Sequence, residues 1–265
     1  MRQTSPVIAS GKAPAAVYTQ RGEAYYQMRQ YDLAARDFQK ARDAGAPAAQ
    51  TAYDLGAAAY MRQDYDKALT YFTNALARDG AMARAYNNRG VTYFALEQYE
   101  KALADFNAAV RLGGPDRIAS LFNRALTYQV MRDTDRALAD YDSILAADPS
   151  QIAARNNKAD ILLTLHRYDE AATTLDAAIA IAPNDPELYY NRALAMEATN
   201  HYEQAMGDYD KALRLRSNFA AAYRNRGVLR LRLHQSREGC ADLKLACDFG
   251  LCTQANKAKD FGLCP

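Results

Sequence analysis

Residues 85–90 read AYNNRG, and close variants of these six letters return as SLFNRA at 120–125, LYYNRA at 188–193 and AYRNRG at 222–227. Each copy ends in a small residue, Gly or Ala, that directly follows an arginine. A pattern that returns in this way indicates an internal repeat, and a repeat governs the assignment of every other element in the chain.

The period of the repeat follows from the small residue that ends each copy. Equivalent small residues recur at intervals of 34 residues, with one interval of 35: Gly22, Gly56, Gly90, Ala125, Ala159, Ala193 and Gly227. With this residue at position 8, the units span 15–48, 49–82, 83–116, 118–151, 152–185, 186–219 and 220–253. Residues 1–14 then form an N-terminal extension, and residues 254–265 form a C-terminal cap.

Other positions of the unit repeat in the same phase. Position 20 is always small: Ala34, Ala68, Ala102, Ala137, Ala171, Ala205 and Gly239. Position 24 is always large and apolar: Phe38, Phe72, Phe106, Tyr141, Leu175, Tyr209 and Leu243. Pro149 and Pro183 stand at position 32, where a helix has to end because proline has no N–H to donate.

This pattern resembles the tetratricopeptide repeat family, whose 34-residue unit is a helix-turn-helix with small residues at positions 8 and 20. The resemblance implies an all-α fold, a right-handed α-solenoid of seven units with a short C-terminal capping helix. We call the two helices of a unit helix A and helix B. The chain departs from the family in two respects. No unit has tryptophan at position 4, and leucine occurs at position 7 in one unit alone, at Leu55.

Positions 7 and 23 vary together. Five units carry arginine at position 7 and aspartate at position 23: Arg21 with Asp37, Arg89 with Asp105, Arg124 with Asp140, Arg192 with Asp208, and Arg226 with Asp242. The two units without the arginine also lack the aspartate, since Leu55 goes with Tyr71 and Lys158 with Thr174. We predict a structural ion pair between helices A and B in each of the five units; the alternative is that these arginines face a ligand.

Position 6 forms a column of amides on the side of helix A that lines the concave groove in tetratricopeptide proteins. Five consecutive units carry asparagine there, which we call the asparagine ladder: Asn88, Asn123, Asn157, Asn191 and Asn225. An amide both donates and accepts hydrogen bonds, so the ladder could hold the backbone of a bound peptide. The alternative is that each amide bonds to the neighbouring helix, and the sequence leaves both open.

Aromatic residues lie between the amides and complete the candidate peptide-binding set: Tyr26, Tyr53, Tyr60, Phe94, Phe122 and Tyr190. Such rings are efficient contact residues, although they could instead pack against the next unit. Family members that bind chaperone tails use lysine and arginine at positions 5, 9 and 13. The first unit has Thr19, Glu23 and Gln27 there, so we expect no binding of acidic C-terminal tails.

No catalytic or cofactor motif occurs in the sequence. His166, His201 and His234 all fall in the predicted turn between helices A and B, and phosphate-loop, GxSxG and HExxH patterns are missing from the chain. We therefore predict a protein that is not an enzyme and needs no cofactor or metal.

Charge and hydropathy give little support for other partners. The chain has 33 Lys and Arg against 31 Asp and Glu, which gives no sign of nucleic-acid binding. The arginines near the C-terminus make only a local basic patch: Arg224, Arg226, Arg230, Arg232 and Arg237. No stretch is apolar for long enough to span a bilayer.

All four cysteines lie close to the C-terminus, at Cys240, Cys247, Cys252 and Cys264. If a short helix after the seventh unit runs back along helix B, its end returns to Cys240. Cys240 then pairs with Cys264, and Cys247 with Cys252. Disulfides imply export to an oxidising compartment, for which we expect a bacterial periplasm; the alternatives are free thiols in the cytoplasm or a zinc site.

We therefore expect a protein–protein interaction scaffold that binds an extended or helical peptide segment in the concave groove. The partner would be another protein or peptide, and the chain would be a monomer or a weak homo-oligomer. A self-assembling structural protein that forms homo-oligomers is the alternative.

Overall fold

The computed structural model describes residues 13–264, and these residues form helices joined by short turns, with no β-strand among them. Most of the predicted N-terminal extension (residues 1–12) and the last residue of the predicted cap, Pro265, lie outside the described residues. The helices are α1 Ala15–Gln27, α2 Tyr31–Asp43, α3 Ala48–Met61, α4 Tyr65–Arg78, α5 Ala83–Ala95, α6 Tyr99–Leu112, α7 Arg117–Val130, α8 Thr134–Ala147, α9 Ile152–Thr164, α10 Tyr168–Ile181, α11 Pro186–Ala198, α12 Tyr202–Leu215, α13 Ala220–Arg232, α14 Ser236–Asp248 and α15 Thr253–Asp260. The predicted all-α repeat fold is confirmed.

Each predicted repeat contains one odd-numbered helix A and one even-numbered helix B, and α15 follows the last pair. The chain divides into two compact bodies, which we call body 1 (up to Asp140) and body 2 (from Tyr141). The boundary falls inside α8.

The turn from helix A to helix B has the same backbone in every repeat. Position 15 has φ between 58° and 63° in all seven, and none of these residues is glycine: Arg29, Gln63, Glu97, Arg132, His166, Asn200 and His234. The next residue donates its N–H to the carbonyl five residues back, as Gln30 does to Tyr25 at 2.8 Å. This left-handed closure ends helix A and redirects the chain into helix B.

Helices A and B pack closely where the small and large positions meet. A Cβ added to Gly22, Gly56 or Gly90 would lie only 2.7 Å from the phenylalanine ring at position 24 of the same repeat. The rings themselves, of Phe38, Phe72 and Phe106, are buried. In these three repeats the ring therefore occupies the space that a side chain at position 8 would need.

Four of the five arginines at position 7 bond to two neighbouring residues. In each of the five repeats the guanidinium donates two hydrogen bonds to the buried aspartate at position 23, as Arg192 does to Asp208 at 2.7 Å each. In four of them it also donates to position 25 of the preceding repeat: Arg89 to Thr73, Arg124 to Asn107, Arg192 to Asp176 and Arg226 to Asp210. The same side chain thus joins two helices and two repeats.

Two substituted positions in this network acquire other partners. Lys158, which has no aspartate in its own repeat, donates to Asp142 of the preceding repeat at 2.5 Å. Arg230 replaces the usual apolar residue and donates to Asp242 at 2.8 Å, so Asp242 accepts from two arginines. Arg230 is therefore part of an ion-pair cluster as well as of the predicted basic patch.

The C-terminal helix α15 packs against the last repeat. Ala255 and Ala258 of α15 are buried against Leu243 of α14. Disulfides join Cys240 to Cys264 and Cys247 to Cys252, which is the pairing expected from the sequence. They attach both ends of α15 to α14.

Candidate peptide-binding grooves

Helices α1, α3 and α5 of body 1 form a groove that contains two adjoining cavities, which we call the body 1 groove. A cavity of about 140 Å³ is lined by Glu23, Tyr26, Gln27, Phe38, Tyr53, Asp54, Ala57 and Asn88. A second of about 170 Å³ is lined by Tyr26, Ala57, Tyr60, Met61, Phe72, Asn88 and Val91. Tyr26, Ala57 and Asn88 line both, so the cavities are neighbours along one surface.

Tyr26 and Tyr60 of this groove are held by rings at the start of helix B in the same repeat, and Tyr53 packs against Phe72 further along its own helix B. Tyr26 lies edge-on to Tyr31 with centroids 5.4 Å apart, and Tyr60 packs against Tyr65 at 5.6 Å. The predicted site residue Phe94 has the same relation to Tyr99, at 5.5 Å. One side of each ring is thereby fixed against its own repeat rather than the next.

The amides of the asparagine ladder bridge successive repeats. One N–H of every ladder amide is donated to the preceding repeat: Asn88 to Tyr53, Asn123 to Asn87, Asn157 to Tyr141, Asn191 to Asn156 and Asn225 to Tyr190, at 2.9 to 3.2 Å. All five side chains are half-buried. The structure thus shows the contact with the neighbouring helix that the sequence left open; each amide makes this contact with one of its two N–H groups, and Asn225 also interacts with the Tyr209 hydroxyl.

Two carboxylates lie in the 140 Å³ cavity among the aromatic rings. Asp54 accepts a hydrogen bond from Gln50 Nε2 at 2.7 Å. Burial, together with the negative charge of Glu23, raises the pKa of Asp54 from 3.8 to about 6. Arg84 lies over the Tyr53 ring, 4.6 Å from its centroid, and hydrogen-bonds to Gln50. The charged form of Asp54 is thus poorly stabilised at its own site.

Body 2 contains a groove of different character between α11 and α13, close to Gln254 of α15. Its cavity, about 400 Å³, is lined by Leu194, Glu197, Ala198, Arg224, Asn225, Val228, Arg232 and Gln254. Glu197 accepts a hydrogen bond from Tyr209 and forms an ion pair with Arg232 at 3.5 Å. Its carboxylate is therefore already matched by a cation.

The predicted site residues divide between these surfaces. Tyr26, Tyr53, Tyr60 and Asn88 line the body 1 cavities, and Asn225 lines the body 2 cavity. The other predicted residues fall outside these three cavities: Phe94, Phe122, Asn123, Asn157, Tyr190 and Asn191. Tyr190 packs between Phe219 and Tyr209, with centroids 4.9 and 6.2 Å away.

The two carboxylates were not among the site residues predicted from the sequence. Asp54 is the one aspartate at position 6, and Glu23 the one glutamate at position 9. Charged residues on an otherwise apolar and amide-rich face are the signal that could have identified them.

The described residues contain no group of three His, Cys, Asp or Glu side chains placed to hold a metal ion. Within the same residues, no helix combines the length and the apolar character that a bilayer span requires.

Models of the tetratricopeptide repeat match the sequence at residues 19–73, 83–112, 122–186 and 186–219. These matches cover more than half of the chain and agree with the helix pairs of the structure. The chain belongs to the tetratricopeptide repeat family. A comparison with curated protein sequences finds no significant match.

Solved structures show the same fold at low sequence identity. A tetratricopeptide repeat protein of Parabacteroides merdae is 23% identical, with a TM-score of 0.63 over 94% of this chain and 98% of its own. PilF of Pseudomonas aeruginosa is 20% identical, with a TM-score of 0.66 over 77% of this chain and 92% of its own. YrrB, a tetratricopeptide repeat protein described as having an unusual peptide-binding site, is 21% identical, with a TM-score of 0.61 over 70% of this chain and 95% of its own.

Proposed function

We propose that this protein is a non-enzymatic scaffold that binds an extended or helical segment of another protein in the body 1 groove. The observation that carries the proposal is the pair of adjoining cavities between α1, α3 and α5, walled by tyrosine rings and polar groups. Rings that are already held on one side lose little conformational freedom on binding, which favours affinity. The peptide-binding site named for YrrB supports the proposal as an analogy of fold.

The asparagine ladder contributes to this function through side-chain N–H groups that are not used in the contacts between repeats. Asn88 donates one N–H to Tyr53 and lines both cavities, so its second N–H is available to a peptide carbonyl. We extend the same role to Asn123, Asn157, Asn191 and Asn225, each of which uses one N–H between repeats.

Selection from a display library of random dodecapeptides tests the proposal. Peptides that bind the wild type should lose roughly tenfold or more in affinity for the Tyr26→Ala, Tyr60→Ala double variant, because both rings wall the groove. Tyr168→Ala, a similar truncation on α10 of body 2, is the control and should bind like the wild type. Unchanged far-ultraviolet circular dichroism verifies that the variants fold. If the wild type and the double variant bind equally, or if no peptide is selected at all, the proposal that the body 1 groove binds peptides is wrong.

Self-assembly by end-to-end stacking is the competing function. Helix α15 covers Leu243 of the last repeat, which argues against further repeats being added at that surface. Light scattering at increasing protein concentration separates the two: a constant monomeric mass supports the scaffold, and growth with concentration supports self-assembly.

The two disulfides support a location in an oxidising compartment, and we propose a bacterial periplasm. Alkylation of unreduced, purified protein should modify none of the four cysteines. Modification of all four would support the cytoplasmic alternative.

A further inference from the structure

The smaller cavity of the body 1 groove has the size of a side-chain pocket. At about 140 Å³ it lies below the range of roughly 300–1,000 Å³ that is usual for small-molecule sites. Tyr26 and Tyr53 provide aromatic walls, and Glu23 and Asp54 place two carboxylates beside them. The pocket is therefore suited to one inserted side chain.

Asp54 of this pocket is half-buried and Glu23 is exposed, and both differ from the buried aspartates at position 23. The buried aspartates at position 23 all pair with arginine, as Asp105 does with Arg89. Among the residues that the structure describes, neither Glu23 nor Asp54 forms an ion pair. Within the described part of the chain, Asp54 accepts a side-chain hydrogen bond from the amide of Gln50 alone. A half-buried carboxylate without a cation is costly unless a ligand supplies one.

Arg84 places a positive charge near this pocket but, among the described residues, forms no ion pair with Glu23 or Asp54. The Arg84 guanidinium lies over the Tyr53 ring and hydrogen-bonds to Gln50 Oε1. Its positive charge lowers the pKa of Asp54, but burial and Glu23 outweigh it. The charged form of Asp54 is thus poorly compensated within the pocket, and a cation of the partner would compensate it.

We infer that the pocket formed by Glu23, Tyr26, Tyr53 and Asp54 binds a lysine or arginine side chain of the partner protein. The cationic head bonds to the two carboxylates, and the tyrosine rings contribute cation–π attraction and cover the aliphatic stem. This inference rests on the proposed peptide-binding function and specifies the chemistry of the partner. It reverses the charge of the chaperone-tail clamp, since Glu23 stands at one of the clamp positions.

Matched peptide pools test the inference. Three pools of random dodecapeptides differ in one fixed central residue, which is lysine, arginine or glutamine. The wild type should enrich peptides from the lysine and arginine pools, and replacement of that residue by glutamine in a selected peptide should weaken binding roughly tenfold. In the Asp54→Asn, Glu23→Gln double variant the same replacement should change affinity less than twofold. The Asp66→Asn, Glu100→Gln double variant, which removes two exposed carboxylates on α4 and α6 and so makes an equal change of charge, should behave as the wild type.

The outcomes separate the inference from the proposed function. Peptides that bind the groove with no preference for a basic residue overturn the inference and leave the groove intact as a binding site. A basic preference that persists unchanged in the double variant places the cation elsewhere and also overturns it. If no pool binds at all, the proposed function fails, and the inference fails with it.

Discussion

At the scale of single residues, the carboxylates at position 23 and at Asp54 lie in two different environments. Aspartates at position 23 are buried but receive two hydrogen bonds from an arginine, as Asp208 does from Arg192. Asp54 is half-buried with one hydrogen bond from an amide. The first arrangement compensates the loss of hydration and the second does not, so Asp54 reduces stability at neutral pH.

The pH dependence of this cost can be predicted from the sign of the shift. Because the pKa of Asp54 in the fold, about 6, is above its ordinary value of 3.8, the folded state holds this proton more tightly than the unfolded state. The group therefore contributes nothing below pH 4, and its cost develops between pH 4 and 6 and is complete above pH 6. Two pKa units correspond to about 3 kcal/mol as an upper bound.

We accordingly predict that Asp54→Asn raises the free energy of unfolding by about 1 to 3 kcal/mol at pH 8 and leaves it unchanged near pH 4. Urea titrations at the two pH values measure this difference. The exposed Glu100→Gln is the control and should have no effect at either pH. A gain for Asp54→Asn that is equal at pH 4 and pH 8 would contradict the assigned ionisation.

At the scale of helices, each repeat depends on a close approach between helix A and helix B. Glycine at position 8 goes with phenylalanine at position 24 in the first three repeats, and alanine goes with tyrosine or leucine in the next three. Ala159 and Leu175 lie in one core cluster, for example. In the first three repeats the phenylalanine ring occupies the space that a Cβ at position 8 would need, whereas the seventh repeat pairs Gly227 with Leu243.

We predict that Gly90→Ala lowers stability by about 1 to 3 kcal/mol, because the new Cβ would lie 2.7 Å from the Phe106 ring. Gly207→Ala is the matched control, since this exposed glycine within α12 has nothing within 4 Å of an added Cβ. It should raise stability by about 0.5 to 1 kcal/mol through helix propensity alone.

If the packing is as described, thermal unfolding should give a lower melting temperature than the wild type for Gly90→Ala and a higher one for Gly207→Ala. Adding Phe106→Leu to Gly90→Ala copies the pair Ala159 and Leu175 and should recover part of the loss. A Gly90→Ala protein as stable as the wild type would show that the ring can move, contrary to close packing at this crossing.

At the scale of the whole molecule, the repeats are joined by contacts that recur along each body. The guanidinium at position 7 reaches the preceding repeat in four cases, and every ladder amide does so as well. In body 2 the series ends at α15, which is joined to α14 by both disulfides. Helix α15 thus covers apolar surface of α14 at Leu243.

We predict that replacing Cys240 and Cys264 together by serine lowers the stability of the C-terminal region by about 3 kcal/mol, because this disulfide closes a loop of 24 residues. The Cys247, Cys252 pair closes only five residues, so its replacement should cost less. Hydrogen exchange should show faster exchange in α15 for the first variant. Equal protection of α15 in that variant and the wild type would show that apolar packing alone holds the cap.

The sequence by itself determined the period, the seven helix pairs and the position 7 to position 23 matches, because these follow from patterns repeated every 34 residues. Only the tertiary structure decided which groups in the preceding repeat accept hydrogen bonds from the arginines and amides, since that depends on how adjacent repeats pack side by side. It also decided the pocket at Glu23 and Asp54. Its walls come from α1, α3 and α5, and periodicity carries no information on the cavity that three different repeats leave between them.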